Sequence, residues 1–114
     1  MSYSVNYLGN NQGFLAVPTD IATFVVKVYL ADNMITQIKD SDFQTLTSVI
    51  RIDLSNNKIT NVSRLGSRCT NLESISLRKN LLTSIPVDIF QDCDKLLSVS
   101  LVDNNLTTVD WIKH

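Results

Sequence analysis

The sequence predicts an α/β-class repeat solenoid: four stacked turns of chain, one short parallel sheet, and an outer side of loops and 3₁₀ or single helical turns. Three observations predict it. Asparagines at 33, 57, 80 and 104 recur at intervals of 24, 23 and 24 residues. The same order of apolar and polar residues surrounds each of them. Within each copy a short stretch alternates with period two, the mark of a strand with one buried face.

The four copies are Val25–Ile38 (VVKVYLADNMITQI), Val49–Val62 (VIRIDLSNNKITNV), Leu72–Ile85 (LESISLRKNLLTSI) and Leu96–Val109 (LLSVSLVDNNLTTV). Each reads apolar-x-x-apolar-x-apolar-x-x-Asn-x-apolar-x-x-apolar. The strand residues that point inward are Val28 and Leu30, Ile52 and Leu54, Ile75 and Leu77, Val99 and Leu101. After the strand the chain must turn toward the core, and a buried turn strands backbone donors and acceptors. An Asn side chain carries both a carbonyl and an amide and can satisfy them. Asn33, Asn57, Asn80 and Asn104 are therefore expected to stack as a structural ladder. Ile35, Ile59, Leu82 and Leu106, then Ile38, Val62, Ile85 and Val109, fill the core beneath. One rung cannot bury its apolar face alone, whereas stacked rungs can.

This pattern resembles the leucine-rich repeat family over about three-quarters of the chain. The resemblance implies a right-handed solenoid that binds another protein and catalyses nothing. The implied organisation is an N-terminal cap over 1–24 with residues 1–10 partly disordered, four repeats over 25–109, and a minimal C-terminal cap over 110–114. Gly13 to Ile21, with its Val17-Pro18-x-x-Ile21, resembles the N-terminal cap of extracellular members, which implies a short antiparallel strand ahead of the first rung. The cysteine cluster usual in that cap is missing between Tyr3 and Gly13.

The return halves are periodic as well. Leu46, Cys69 and Cys93 share one column; Phe43, Gly66 and Phe90 share another. The two phenylalanines are expected to plug the convex side, and Gly66, where that plug is missing, predicts a different return, more helical or looser. Pro86 suits the start of a short helical turn. Cys69 and Cys93 are expected to be buried reduced thiols. Rungs that splay apart on a curved back would place their Cα atoms beyond the disulfide limit of about 7 Å. Reduced thiols lean toward a cytoplasmic compartment without deciding it.

With 114 residues, 44% apolar and 18% charged, the chain is one domain and too apolar to be disordered. A net charge of −1 argues against binding nucleic acid through phosphates. No apolar run is long enough to insert into a membrane, and the first residues do not read as a signal peptide.

No catalytic constellation is present. The single histidine is His114, the last residue, so no Ser or Cys nucleophile has a plausible base. Gly9, Gly13 and Gly66 form no phosphate loop. Asp40 and Asp42 are expected to start and cap a turn. No cofactor or metal is expected. Asn61-Val-Ser and Asn105-Leu-Thr match the N-glycosylation acceptor pattern, a triplet that arises easily in an Asn-rich repeat and is used only on passage through a eukaryotic secretory pathway.

The strand residues facing away from the core define a concave face: Lys27, Tyr29, Ala31 and Asp32; Arg51, Asp53, Ser55 and Asn56; Ser74, Ser76, Arg78 and Lys79; Ser98, Ser100, Val102 and Asp103. Tyr29 is its one aromatic, and Tyr and Arg are favoured binding anchors. The candidate partner-binding patch is Lys27, Tyr29, Arg51, Asp53 and Arg78. Trp111 and Ile112 are the residues available to cover the last rung or to form a homo-oligomer edge. Two further readings stay open: a repeat segment of a larger receptor or kinase, and an assembly element pairing through that C-terminal edge.

Overall fold

The computed structural model describes residues 5–63, 69–86 and 88–107. Gly66, Val109, Trp111, Ile112 and His114 lie outside the described residues, and so do the different return, the covering of the last rung and the oligomer edge expected of them.

The chain forms a parallel-strand solenoid. Five three-residue strands make its main sheet: β1 (Asn6–Leu8), β2 (Lys27–Tyr29), β4 (Arg51–Asp53), β6 (Ser74–Ser76) and β7 (Ser98–Ser100). They pair in the order β1-β2-β4-β6-β7, every pair parallel. Two-residue strands β3 (Gln37–Ile38) and β5 (Asn61–Val62) form a second parallel pair on the next side of the coil. No α-helix occurs among the described residues. The returns run instead through turns at 40–45 and 88–92.

The core is one cluster from Val17 to Cys93. Val28, Leu30, Ile35, Leu54, Ile59, Leu72, Leu77 and Leu82 have no exposed surface. These are the inward strand positions and those just after the turn. Phe43 is buried in its return, but in the third return Ile89 takes the buried place and Phe90 is only half-buried against the core. Asp42 caps its own turn: its Oδ2 accepts from the Lys39 amide at 2.8 Å.

The N-terminal segment differs from the cap that the family resemblance implied. The strand β1 runs parallel to β2, not antiparallel, with Asn6, Tyr7 and Leu8 opposite Lys27, Val28 and Tyr29. Residues 6–8, expected within a partly disordered stretch, are ordered as a strand. The physical reason is that Tyr7 to Val17 is itself a degenerate rung. Tyr7 stands opposite Val28. Two residues on, Gly9 falls where Leu30 is, and Phe14 and Val17 fall where Ile35 and Ile38 are. Backbone conformation supports the alignment. Asn11, Asp32, Asn56, Lys79 and Asp103 share one column, and each has φ between 54° and 63°. Gly9 cannot be the usual leucine, since even a Cβ there would lie 2.6 Å from the Tyr7 ring and 2.9 Å from Leu30. The tyrosine ring fills that space instead. Burial, and secondarily the charge of Asp20, pushes the Tyr7 phenol above its ordinary pKa.

The cysteines also differ from expectation. Cys69 and Cys93 form a disulfide, with Cα atoms 4.9 Å apart. The expected splay of the convex side does not occur at this column. A back of helices would push neighbouring rungs apart, but turns leave them close. Hydrogen bonds link the same side of successive rungs: Asn71 Nδ2 donates to Thr47 O at 2.9 Å, and Lys95 Nζ to Asn71 Oδ1 at 3.3 Å. The reduced-thiol reading fails, and with it the lean toward a cytoplasmic compartment.

Candidate protein-recognition face

The concave face is positioned by the asparagine ladder. The Nδ2 of Asn57 donates to Leu54 O and Ser55 O of its own rung, at 3.0 and 3.3 Å, and to Leu30 O of the preceding rung at 3.0 Å. Its Oδ1 accepts from Ile35 N at 3.1 Å. Asn80 repeats the arrangement with Leu77 O, Arg78 O, Leu54 O and Ile59 N. Asn33 reaches back to Gly9 O and accepts from Gln12 N and Phe14 N of the degenerate rung. Asn104 bonds Leu77 O, Leu101 O and Leu82 N. The asparagines thus bond to backbone, each stitching its turn to the one before. Asn33, Asn57 and Asn80 are buried, and Asn104 is half-buried.

With the rungs fixed, the outward strand residues fall into straight columns whose successive members lie about 4.8 Å apart. One column is Asn6, Lys27, Arg51, Ser74 and Ser98; the next is Leu8, Tyr29, Asp53, Ser76 and Ser100. Lys27 and Arg51 are direct register partners, like charges side by side, and neither makes an ion pair among the described residues. Tyr29 faces Asp53 across the register. Asp53 is committed to its own rung, with Oδ1 accepting from Ser55 N at 3.0 Å and Ser55 Oγ at 2.7 Å. Arg78 stands apart from this group. Its Nε meets Asp103 Oδ2 at 3.4 Å with both side chains about half exposed, a pair worth little in water.

Two residues of this face, Asn6 and Leu8, are missed by the sequence reading. Leu8 is 76% exposed beside Tyr29. The signal was available in the alignment of Tyr7-x-Gly9 with Val28-x-Leu30, but only if the N-terminal segment is read as a rung. Leu8 and Tyr29 make an apolar spot next to two cations that form no ion pair among the described residues. Among the described residues no group of three His, Cys, Asp or Glu side chains gathers as a metal site, and no helix is long and apolar enough to cross a membrane.

A solenoid of laddered parallel rungs presenting a shallow polar sheet is the architecture of repeat proteins that act as interaction scaffolds. Two family models match, one described as leucine rich repeat over residues 70–114 and one as leucine rich repeats (2 copies) over 47–89. The chain belongs to the leucine-rich repeat family, whose domains generally mediate protein–protein interaction. It is similar to the human leucine-rich repeats and immunoglobulin-like domains protein 1, at 26% identity over 86% of this chain and 9% of that protein. It is also similar to the human protein 3 of the same name, at 25% identity over 80% of this chain and 8% of that protein. The chain thus spans less than a tenth of the length of these relatives.

Proposed function

We propose that this chain is a non-catalytic protein-binding scaffold whose partner docks on the concave face at Lys27, Tyr29, Arg51, Asp53 and Arg78, with Leu8 beside Tyr29. The observation that carries the reading is the juxtaposition of exposed Leu8 and half-buried Tyr29 with the like-charged Lys27–Arg51 pair, neither member of which makes an ion pair among the described residues. Like charges across a sheet are mildly unfavourable for the fold itself, so folding gives no reason for them. A partner bearing carboxylates beside an apolar side chain would relieve them. The later rungs, with Ser74, Ser76, Ser98 and Ser100, offer less to hold. Standard interfaces bury roughly 800 Å² per partner, so the rims of the sheet are expected to take part.

The test is affinity capture with the wild-type chain and the double variant Tyr29→Ala/Arg51→Glu, read by quantitative mass spectrometry. Proteins recovered by the wild type alone support the reading; identical recovery by both removes the concave patch.

A second reading is that the chain is a repeat segment of a larger receptor-type protein. It is favoured by the small share of the relatives that the chain spans. It is also favoured by the half-buried state of Val99, Leu101 and Leu106, which another rung would cover. A homo-oligomer contact at the same end is the third proposal. Sedimentation across concentrations, with Leu101→Asp as the disrupting variant, separates a contact between copies from a stable monomer.

A further inference from the structure

We infer that Asn61 and Asn105 are N-glycosylation sites, and that the glycans stand on the flank of the solenoid and leave the concave face open. The repeat restricts where the acceptor triplet can fall. Two residues after each ladder asparagine the core requires an apolar side chain, here Ile35, Ile59, Leu82 and Leu106. Ladder asparagines therefore cannot form Asn-x-Ser/Thr, and their amides are already committed to backbone. The two triplets lie outside that column. Asn105 occupies the column of Met34, Lys58 and Leu81, and only there does an asparagine precede by two the threonine column of Thr36, Thr60, Thr83 and Thr107. Asn61 occupies the column of Gln37 on the second sheet, with Ser63 two residues on.

Both asparagines are exposed, and the side chain of neither makes a hydrogen bond among the described residues. Asn71 is a useful contrast. It belongs to no triplet, and both ends of its amide are engaged, by Thr47 O and by Lys95. Neither Asn61 nor Asn105 falls in a concave strand column, so an oligosaccharide on either projects from the post-ladder flank. The second support is the Cys69–Cys93 disulfide, since disulfides form and persist in the oxidising compartments of the secretory route. In a eukaryotic cell the endoplasmic reticulum, which closes such bridges, is also where asparagines are glycosylated. In the transfer, Nδ2 bonds the anomeric carbon of an oligosaccharide carried on a lipid pyrophosphate. The sugar–phosphate bond breaks, Nδ2 loses one proton, and the lipid pyrophosphate leaves.

The test is to secrete the full chain from a eukaryotic cell and confirm the disulfide by alkylation without reduction. Intact mass is then compared before and after peptide N-glycosidase, which turns an occupied Asn into Asp. The wild type is expected to lose two glycans, each of Asn61→Gln and Asn105→Gln one, and the double variant none. Ser63→Ala and Thr107→Ala should each remove one glycan while keeping the asparagine. A secreted, bridged wild-type chain whose mass the enzyme leaves unchanged overturns the inference, and occupancy at one position alone overturns it for the other.

Discussion

The inner rung at Asn57 and the last described rung at Asn104 share one apolar–polar pattern and have different surroundings. Around Asn57, Ile52, Leu54 and Ile59 are buried almost completely, and Asn57 itself is 3% exposed. Around Asn104, Val99, Leu101 and Leu106 are only half-buried. The Asn57 amide donates to three carbonyls, that of Asn104 to two. A rung's core is made by its neighbours: the sequence supplies the residues, and burial comes from the turns stacked on both sides.

The largest test of that contrast is to remove each asparagine. Asn57→Ala strands a buried amide and up to three carbonyls and is expected to cost roughly 4 kcal/mol. Asn104→Ala, partly reached by water, should cost roughly 1 kcal/mol. Urea unfolding of both variants checks the gap, and equal costs would break the comparison.

Next in size is the bridge that ties the last two returns together. Cys69→Ser/Cys93→Ser is expected to lose roughly 3 kcal/mol through the freed loop. Because it clamps the late rungs, hydrogen exchange should quicken at Leu77 and Lys79, which donate to β7 and the turn beyond. Exchange at Leu30, which donates to Asp53 O, should hardly change.

A smaller effect lies in the backbone. Of the five side-chain-bearing residues in the left-handed column, four are Asn or Asp and one is Lys79, at φ 58°. Asn adopts that region at lower cost than Lys. Lys79→Asn is expected to stabilise the chain by roughly 0.5 kcal/mol, seen as a higher urea midpoint with an unchanged slope.

The smallest effect is at the other end, where Tyr7 covers the first turn. Its folded pKa is raised above 10.0, so the fold favours the neutral phenol. Its contribution is complete below pH 10 and is lost as pH rises through the folded value. Tyr7→Phe should flatten the alkaline fall in stability measured by thermal unfolding.

Sequence and structure part company where a position's meaning depends on its neighbours. The four rungs were legible because period-two strands and a recurring Asn encode local and core demands at once. The rung at Tyr7 to Val17 was hidden because Gln12 stands in the ladder column, Gly9 replaces the inward leucine, and the interval to Asn33 is 21 residues rather than 23 or 24. Leu8 was lost from the candidate face for the same reason. The disulfide was misread because the spacing of the backs depends on whether helices or turns fill them. No single residue reports that, although Asp42, Pro86 and the absence of a long apolar stripe between rungs all belong to a thin back.

Each asparagine holds the preceding rung as well as its own. Native-state hydrogen exchange at the Ile35 amide, which donates to Asn57 Oδ1 across the rung boundary, tests it most directly. In the Asn57→Ala variant, under conditions where the chain stays folded, that amide should exchange at least tenfold faster than in the wild type, while Leu82, held by Asn104, keeps its protection. An Ile35 amide as slow in the variant as in the wild type would contradict the claim.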